Sequence, residues 1–180
     1  MFVVMNPVTG PFAGNAGLRR AVMRAIDRDY IVDVLQEHKD KPATGVLPPG
    51  MSGFDAARPP IAYHLEEAAR LLAEAGLPGG KGLPELTYLT TETEGFRVLT
   101  DRILLDLGRI GLKVRIISMD FAAYQAALDA GRHTSPPADL FRLNWFADYP
   151  DTDNFLSPLF QTGANFNYGG YSSPALDALL

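Results

Sequence analysis

Hydrophobic positions along the chain switch between a period of two and a helical period, and the switching points divide it into elements. Phe2–Met5 is a short apolar run that reads as a strand, and residues 6–14, with two prolines and two glycines, read as a loop. Asn15 stands where a cap belongs, ahead of Leu18, Val22, Ala25 and Ile26 at helical spacing, so a helix is predicted from there to about Asp27. A second helical stretch from Asp29 carries Tyr30, Ile31, Val34 and Leu35. Arg19, Arg20, Arg24 and Arg28 fall mostly off the apolar stripe and read as a solvated basic face. Residues 41–63 hold Pro42, Pro48, Pro49, Pro59 and Pro60 with Gly45, Gly50 and Gly53, which rules out a regular element. That stretch is a long surface connection, either functional or a wrap-around strap.

From His64 the run HLEEAARLLAEAG predicts a helix with Leu65, Ala68, Ala69, Leu72 and Ala75 inward and Glu66 spaced to pair with Arg70. Gly76 and Pro78 stop it. Residues 86–90 read as a strand. Thr91 and Glu94 have capping-box spacing ahead of a helix bearing Phe96, Leu99, Ile103, Leu107 and Ile110. Residues 112–118 form the next strand, Asp120 caps a helix through Ala130 that Gly131 ends, and residues 139–146 (DLFRLNWF) form a further strand. A helix over residues 154–160 and the start of another at PALDALL close the chain. The order strand, helix, strand, helix, strand from residue 86 requires right-handed crossovers and parallel neighbours, so the class is α/β.

Composition narrows the function classes. With 180 residues and 47% hydrophobic content there is enough apolar material for a core, and a net charge of −5 shows no nucleic-acid footprint. The absence of cysteine excludes disulfides and thiolate metal sites, and no run approaches the roughly 20 apolar residues of a membrane span. The opening MFVVMNP has no signal-peptide pattern, and both ends read as cut, as in a fragment of something longer. Catalytic motifs fail: His38, His64 and His133 are far apart with no HExxH, and GLPGGKG lacks the first glycine and final Ser/Thr of a phosphate loop. Gly50-Met51-Ser52-Gly53 has Phe54 where a nucleophile elbow needs glycine. No catalytic residue, cofactor or metal ligand is assigned.

One region stands apart. Eight of the eighteen aromatics crowd into residues 145–171, and after Arg142 there is no Lys, Arg or His, while Asp148, Asp151, Asp153 and Asp177 supply four of the five net negative charges. An acidic, aromatic segment at the end of a strand suits a cationic or amine-bearing ligand. Asp151 and Asp153 also suit turn and cap duty in DYPDTDNF, whereas Asp148, between Trp145 and Tyr149, precedes any cap position. A calcium loop is disfavoured by the missing glycine and bidentate Glu, and a hydrolase using Asp148 with Asp151 or Asp153 remains the reading from a different class.

An ordered set of segments carries a resemblance: MNPVTGPF, LRRAVMRAIDRDYIV, PATGVLPPGMSGF, EEAARLLAEAGLP, IGLKVRI, NWFADYPDTDNFLSPLF and YSSPALDALL. Together they resemble the extracellular solute-binding proteins of oligopeptide and dipeptide ABC transporters across nearly the whole chain. The resemblance implies one lobe of a two-lobed, periplasmic-binding-protein-like fold over residues 1–180, the smaller ligand-binding lobe, with a mixed sheet, βαβ crossovers and flanking helices. It implies a monomer, periplasmic or extracellular and membrane-associated, whose partners are a peptide or other small solute, a membrane permease and a second lobe of the same protein. Asp148, three after Trp145, would receive a peptide α-ammonium, Trp145 would wall the site, and main chain at Asn144 and Phe146 would pair with an extended ligand. Tyr149 would face the ligand, and Arg142 matches a position where some members keep a basic group for the ligand carboxylate. An oligosaccharide, opine or metal-chelate receptor is the alternative within the class. Thr152, usually proline, and His64-Leu65, usually Asp-Pro, depart from the pattern without touching the amine site.

Overall fold

A computed structural model describes residues 1–132 and 134–180. His133 lies outside the described residues. Four strands make one sheet in the order β1-β4-β2-β3, with β1 at Phe2–Met5, β2 at Leu86–Thr91, β3 at Val114–Met119 and β4 at Leu140–Leu143. β2 is parallel to both β3 and β4, as the alternation of strands and helices requires, and β1 runs antiparallel to β4. Asp139 fixes the register of β4 on β2: its carboxylate accepts the Thr87 N–H and hydroxyl, both at 2.8 Å, while its own N–H donates back to Thr87 Oγ1 at 3.0 Å.

Helices cover both sheet faces, although edge strand β3 keeps Arg115 and Ser118 exposed. α1 (Ala16–Ala25), α3 (Leu65–Glu74) and α4 (Glu94–Arg109) lie on one face, where Leu18, Val22, Leu72, Leu107, Leu86, Tyr88 and Leu140 form the larger core. α5 (Phe121–Gly131) covers the other face, packing Tyr124 and Leu128 with Leu89, Phe141 and Tyr168. Asn15 and Asp120 cap as their positions predict, accepting the Leu18 and Ala123 N–H groups at 2.9 Å each.

Local expectations that needed a distant partner fared differently. The second helical stretch starts earlier, with Asp27 capping α2 (Arg28–Tyr30), and continues as a π-turn over Ile31–Leu35. Arg24 pairs with Glu67 at 3.4 Å, and Arg19 and Arg28 donate to main-chain carbonyls, so these three are tied down, while Arg20 is exposed as a solvated face predicts. Arg70 pairs with Glu74 instead of Glu66, Ala69 is exposed, and partly buried Leu71 packs on the core instead. Thr91 ends β2 rather than opening a capping box, and the N-cap of α4 is Thr93 without a side-chain bond. β4 stops at Leu143, three residues short of Phe146.

Residues 41–63 contain no helix or strand. This strap is anchored at its far end, where His64 N–H donates to Arg24 O at 2.9 Å and Nδ1 of His64 caps α3 by accepting the Glu67 N–H at 3.2 Å. The chain ends through α6 (Asp153–Phe160) and α7 (Pro174–Asp177). No helix of the described residues is long and apolar enough to cross a membrane.

Candidate functional site

The early end of β4 creates the site. Among the described residues no main-chain hydrogen bond engages residues 144–147, so their N–H and C=O groups are open to an extended partner. Asn144 is exposed and Phe146 is 82% exposed, as expected of side chains flanking such an edge. Trp145 is held differently. Its Nε1–H donates to the Asn154 carbonyl at 2.8 Å, and its ring lies 5.0 Å from Phe166, so the indole is a fixed wall.

Asp148 follows on a turn pinned by Asn154, whose Oδ1 accepts the Asp148 N–H at 2.9 Å. Its carboxylate is exposed and has no hydrogen-bond or ion-pair partner among the described residues. The other two carboxylates of the turn are occupied. Asp151 Oδ1 accepts the Asp153 N–H at 2.9 Å, and Asp153 accepts hydroxyl bonds from Ser157 and, at 3.0 Å, from Tyr149. Those two hydroxyls hold Asp153 below the usual carboxylate range. Tyr149 therefore presents a half-exposed ring with its hydroxyl already committed.

Asn154 is the residue that sequence reasoning missed. It is 4% exposed at the second position of α6 and holds both Trp145 and Asp148, so it sets the geometry between wall and carboxylate. The only sequence signal was an amide at the start of a helix, where Asn usually serves its own helix.

Arg142 is buried beside the segment that carries the other candidate residues. It is 6% exposed, its guanidinium lies 3.6 Å from the Phe96 ring centre, and Nη2 donates to Thr91 Oγ1 at 3.2 Å. Its Nε–H has no partner, and Tyr124 donates its hydroxyl to the Arg142 carbonyl. Burial pushes the guanidinium below its usual range, only partly opposed by Tyr124 and Tyr88. Its guanidinium is packed beneath Phe96. Among the described residues no three His, Cys, Asp or Glu side chains group to hold a metal ion.

Comparison with known proteins places this geometry in a context. The family described as bacterial extracellular solute-binding proteins, family 5 middle, matches residues 1–167. The glutathione-binding protein GsiB of Salmonella choleraesuis is 30% identical over 98% of the chain and 35% of its own length, and heme-binding protein A of Haemophilus influenzae is 28% identical over 99% and 32%. Among solved structures, the periplasmic binding protein DppA of Helicobacter pylori in complex with the peptide STSA superposes with a TM-score of 0.84 at 27% identity, covering 99% of this chain and 34% of that one. The chain thus spans about a third of the length of the relatives it matches.

Proposed function

We propose that this chain, which belongs to the bacterial extracellular solute-binding proteins of family 5, forms one lobe of a two-lobed receptor that captures a peptide by its free amine and delivers it to an ABC-type permease. The observation that carries the reading is the pairing of an unpartnered carboxylate, Asp148, with the open main chain of residues 144–147 behind the fixed wall of Trp145. A carboxylate receives an ammonium by a charge-assisted bond, and an open edge pairs with any backbone, so the site recognises what all peptides share. The relatives named for peptide and glutathione bind ligands that carry such groups. Closure of two lobes around the solute accomplishes capture without making or breaking a covalent bond.

Arg142 joins the proposal as a carboxylate partner reached once Phe96 swings aside, because its Nε–H is left without an acceptor. A hydrolase built on Asp148 with Asp151 or Asp153 loses support, since both partners are committed to the turn. The relative named for heme keeps a second solute class open, and mass spectrometry of ligand retained by the two-lobed protein separates the two. In that protein Asp148→Ala should weaken a free-amine peptide by about 2 to 5 kcal/mol and spare its N-acetylated analogue. Equal loss for both peptides would remove the amine role.

A further inference from the structure

Among the described residues five α-helices carry a side-chain cap, and four of the caps are oxygen. Asn15, Asp27, Asp120 and Ser173 accept the Leu18, Tyr30, Ala123 and Leu176 N–H groups at 2.9, 3.0, 2.9 and 3.3 Å. α3 alone is capped by nitrogen, Nδ1 of His64 accepting the Glu67 N–H at 3.2 Å. An amide or hydroxyl oxygen accepts at any pH, and an aspartate keeps accepting down to about pH 4. An imidazole that takes up a proton carries N–H on both ring nitrogens and accepts nothing.

His64 also stands where the strap meets the helices. Its own N–H donates to the Arg24 carbonyl at 2.9 Å, and the Arg24 guanidinium reaches back to the Ala62 carbonyl at 3.3 Å and to Glu67 at 3.4 Å. Tyr63 accepts from Arg109 at 3.1 Å. The cap therefore completes a joint of strap, α1, α3 and α4. The charged groups around the imidazole are Glu66 and Glu67 on α3, Arg24 on α1 and Arg109 on α4, with Arg28 of α2 adding its charge to that of Arg24. The glutamates attract an imidazolium, the guanidiniums repel it, and Glu67 is already shared with Arg24. The helix decides the sign: its first turn presents free N–H groups and the positive end of its dipole, so a cation there loses the cap bond and meets like partial charge.

We propose that His64 is a proton-sensitive latch: as a neutral imidazole it fastens the far end of the strap to α3, and on taking up a proton it loosens that end while the rest of the fold holds. The latch is closed above the interval of about pH 8 to 5 in which imidazoles change charge, and it opens as pH falls through that interval. The rest holds because the other caps are oxygen and the packing of Ala68 and Leu72 beneath α3 carries no charge. Further back the strap is tied by the Thr152 hydroxyl, which donates to the Ser52 carbonyl at 2.5 Å from the turn that carries Asp148. Latch and candidate site thus lie at the two ends of residues 52–64. The latch stands on the geometry of this joint and does not rest on the receptor reading.

Amide hydrogen exchange of the 180-residue chain, read by NMR and corrected for intrinsic exchange rates, tests the latch. As pH falls across the interval, protection of the Glu67 amide should drop about threefold to tenfold, the change that loss of an ordinary cap brings. The Leu18 and Ala123 amides, capped by Asn15 and Asp120, should keep theirs. His64→Asp supplies an acceptor that persists through the interval, so its Glu67 amide should stay protected at both ends of it. His64→Ala should show the lowered protection at both ends. An unchanged Glu67 amide in the unmodified chain overturns the latch. An equal drop in His64→Asp also overturns it, by assigning the loosening to Glu66, Glu67 or His38, and a parallel drop at Leu18 and Ala123 does so by making the loosening a general effect of acid.

Discussion

Two arginines, Arg142 buried and Arg102 largely so, sit in opposite electrostatic surroundings. Arg102, on α4, donates through Nε to both oxygens of Asp106 at 3.1 and 3.0 Å and through Nη2 to Asp27 at 2.9 Å, with Tyr30 stacked 3.8 Å from its guanidinium. Asp106 is fully buried and also receives Arg109 and the Asp27 N–H, each at 3.0 Å. Arg142 has a threonine hydroxyl, two aromatic rings and, among the described residues, no carboxylate within ion-pair distance. Burial acts against both charges. For Arg102 the bonds and field of Asp106 and Asp27 outweigh it and raise the pKa, whereas Arg142 is left lowered. The first site is a finished joint between α4 and the junction of α1 with α2, and the second is a guanidinium left with one partnerless N–H. Unsatisfied charge tends to persist where function uses it.

The contrast breaks most severely at the finished joint. Asp106→Ala leaves Arg102 buried without its main partner and strips the acceptor from the Asp27 N–H, so it should cost about 3 to 5 kcal/mol of stability. Urea denaturation of the chain measures it. A loss below about 1 kcal/mol would mean that the joint is solvated in solution and that the two arginines do not differ in kind.

How much of this was legible in the sequence follows from the reach of each interaction. The caps at Asn15 and Asp120 were readable because a cap is satisfied within three residues. The parallel pairing of β2 with its neighbours was readable from the alternation of strands and helices, but the order that puts β2 between β4 and β3, with β1 antiparallel at the edge, was not. Thr91 and Glu94 misled because the threonine hydroxyl is taken by Arg142, fifty-one residues on, which no local pattern contains. The run DLFRLNWF reads as one strand by composition, but its sheet pairing reaches only Leu143, which local composition does not show. Asp148 was singled out by its position before any cap. The burial of Arg142, the double role of Asn154 and the strap bond from Thr152 to Ser52 all depend on contacts that sequence spacing cannot supply.

A smaller effect ties the open arginine to its surroundings through pH. Tyr88 and Tyr124 are 1% and 3% exposed, and burial pushes both phenols up to about 12, with the nearby Arg142 charge opposing the rise in each. Between the unfolded value near 10 and the folded value the unfolded chain releases protons that the native chain keeps, so stability is complete below about pH 10 and falls as pH rises toward 12. The loss should reach roughly 2 to 3 kcal/mol for each tyrosine at the upper end. Tyr88 and Tyr124 should ionise late in an absorbance titration, as should Tyr168, whose phenol is also pushed up by burial, and Tyr88→Phe or Tyr124→Phe should flatten the alkaline slope. Early titration of all seven tyrosines would mean that water reaches the Arg142 cluster.

The smallest predicted change in stability is the most telling. Arg142→Met keeps apolar volume beneath Phe96 while removing the charge, the Thr91 bond and the stacking on the ring. Cation–π stacking and one hydrogen bond are together worth about 1 to 3 kcal/mol. Against that stands the desolvation of a guanidinium whose Nε–H has no acceptor, a penalty of similar or larger size. The two nearly offset, so the chain should stay within about 1 kcal/mol of its original stability in urea, in contrast to the loss at Asp106. In the two-lobed protein the same substitution should weaken a tripeptide by about tenfold relative to its C-terminal amide, because only the free carboxylate can complete the partnerless guanidinium. A large loss of stability with no change in carboxylate preference would make Arg142 a structural residue like Arg102 and dissolve the distinction between them.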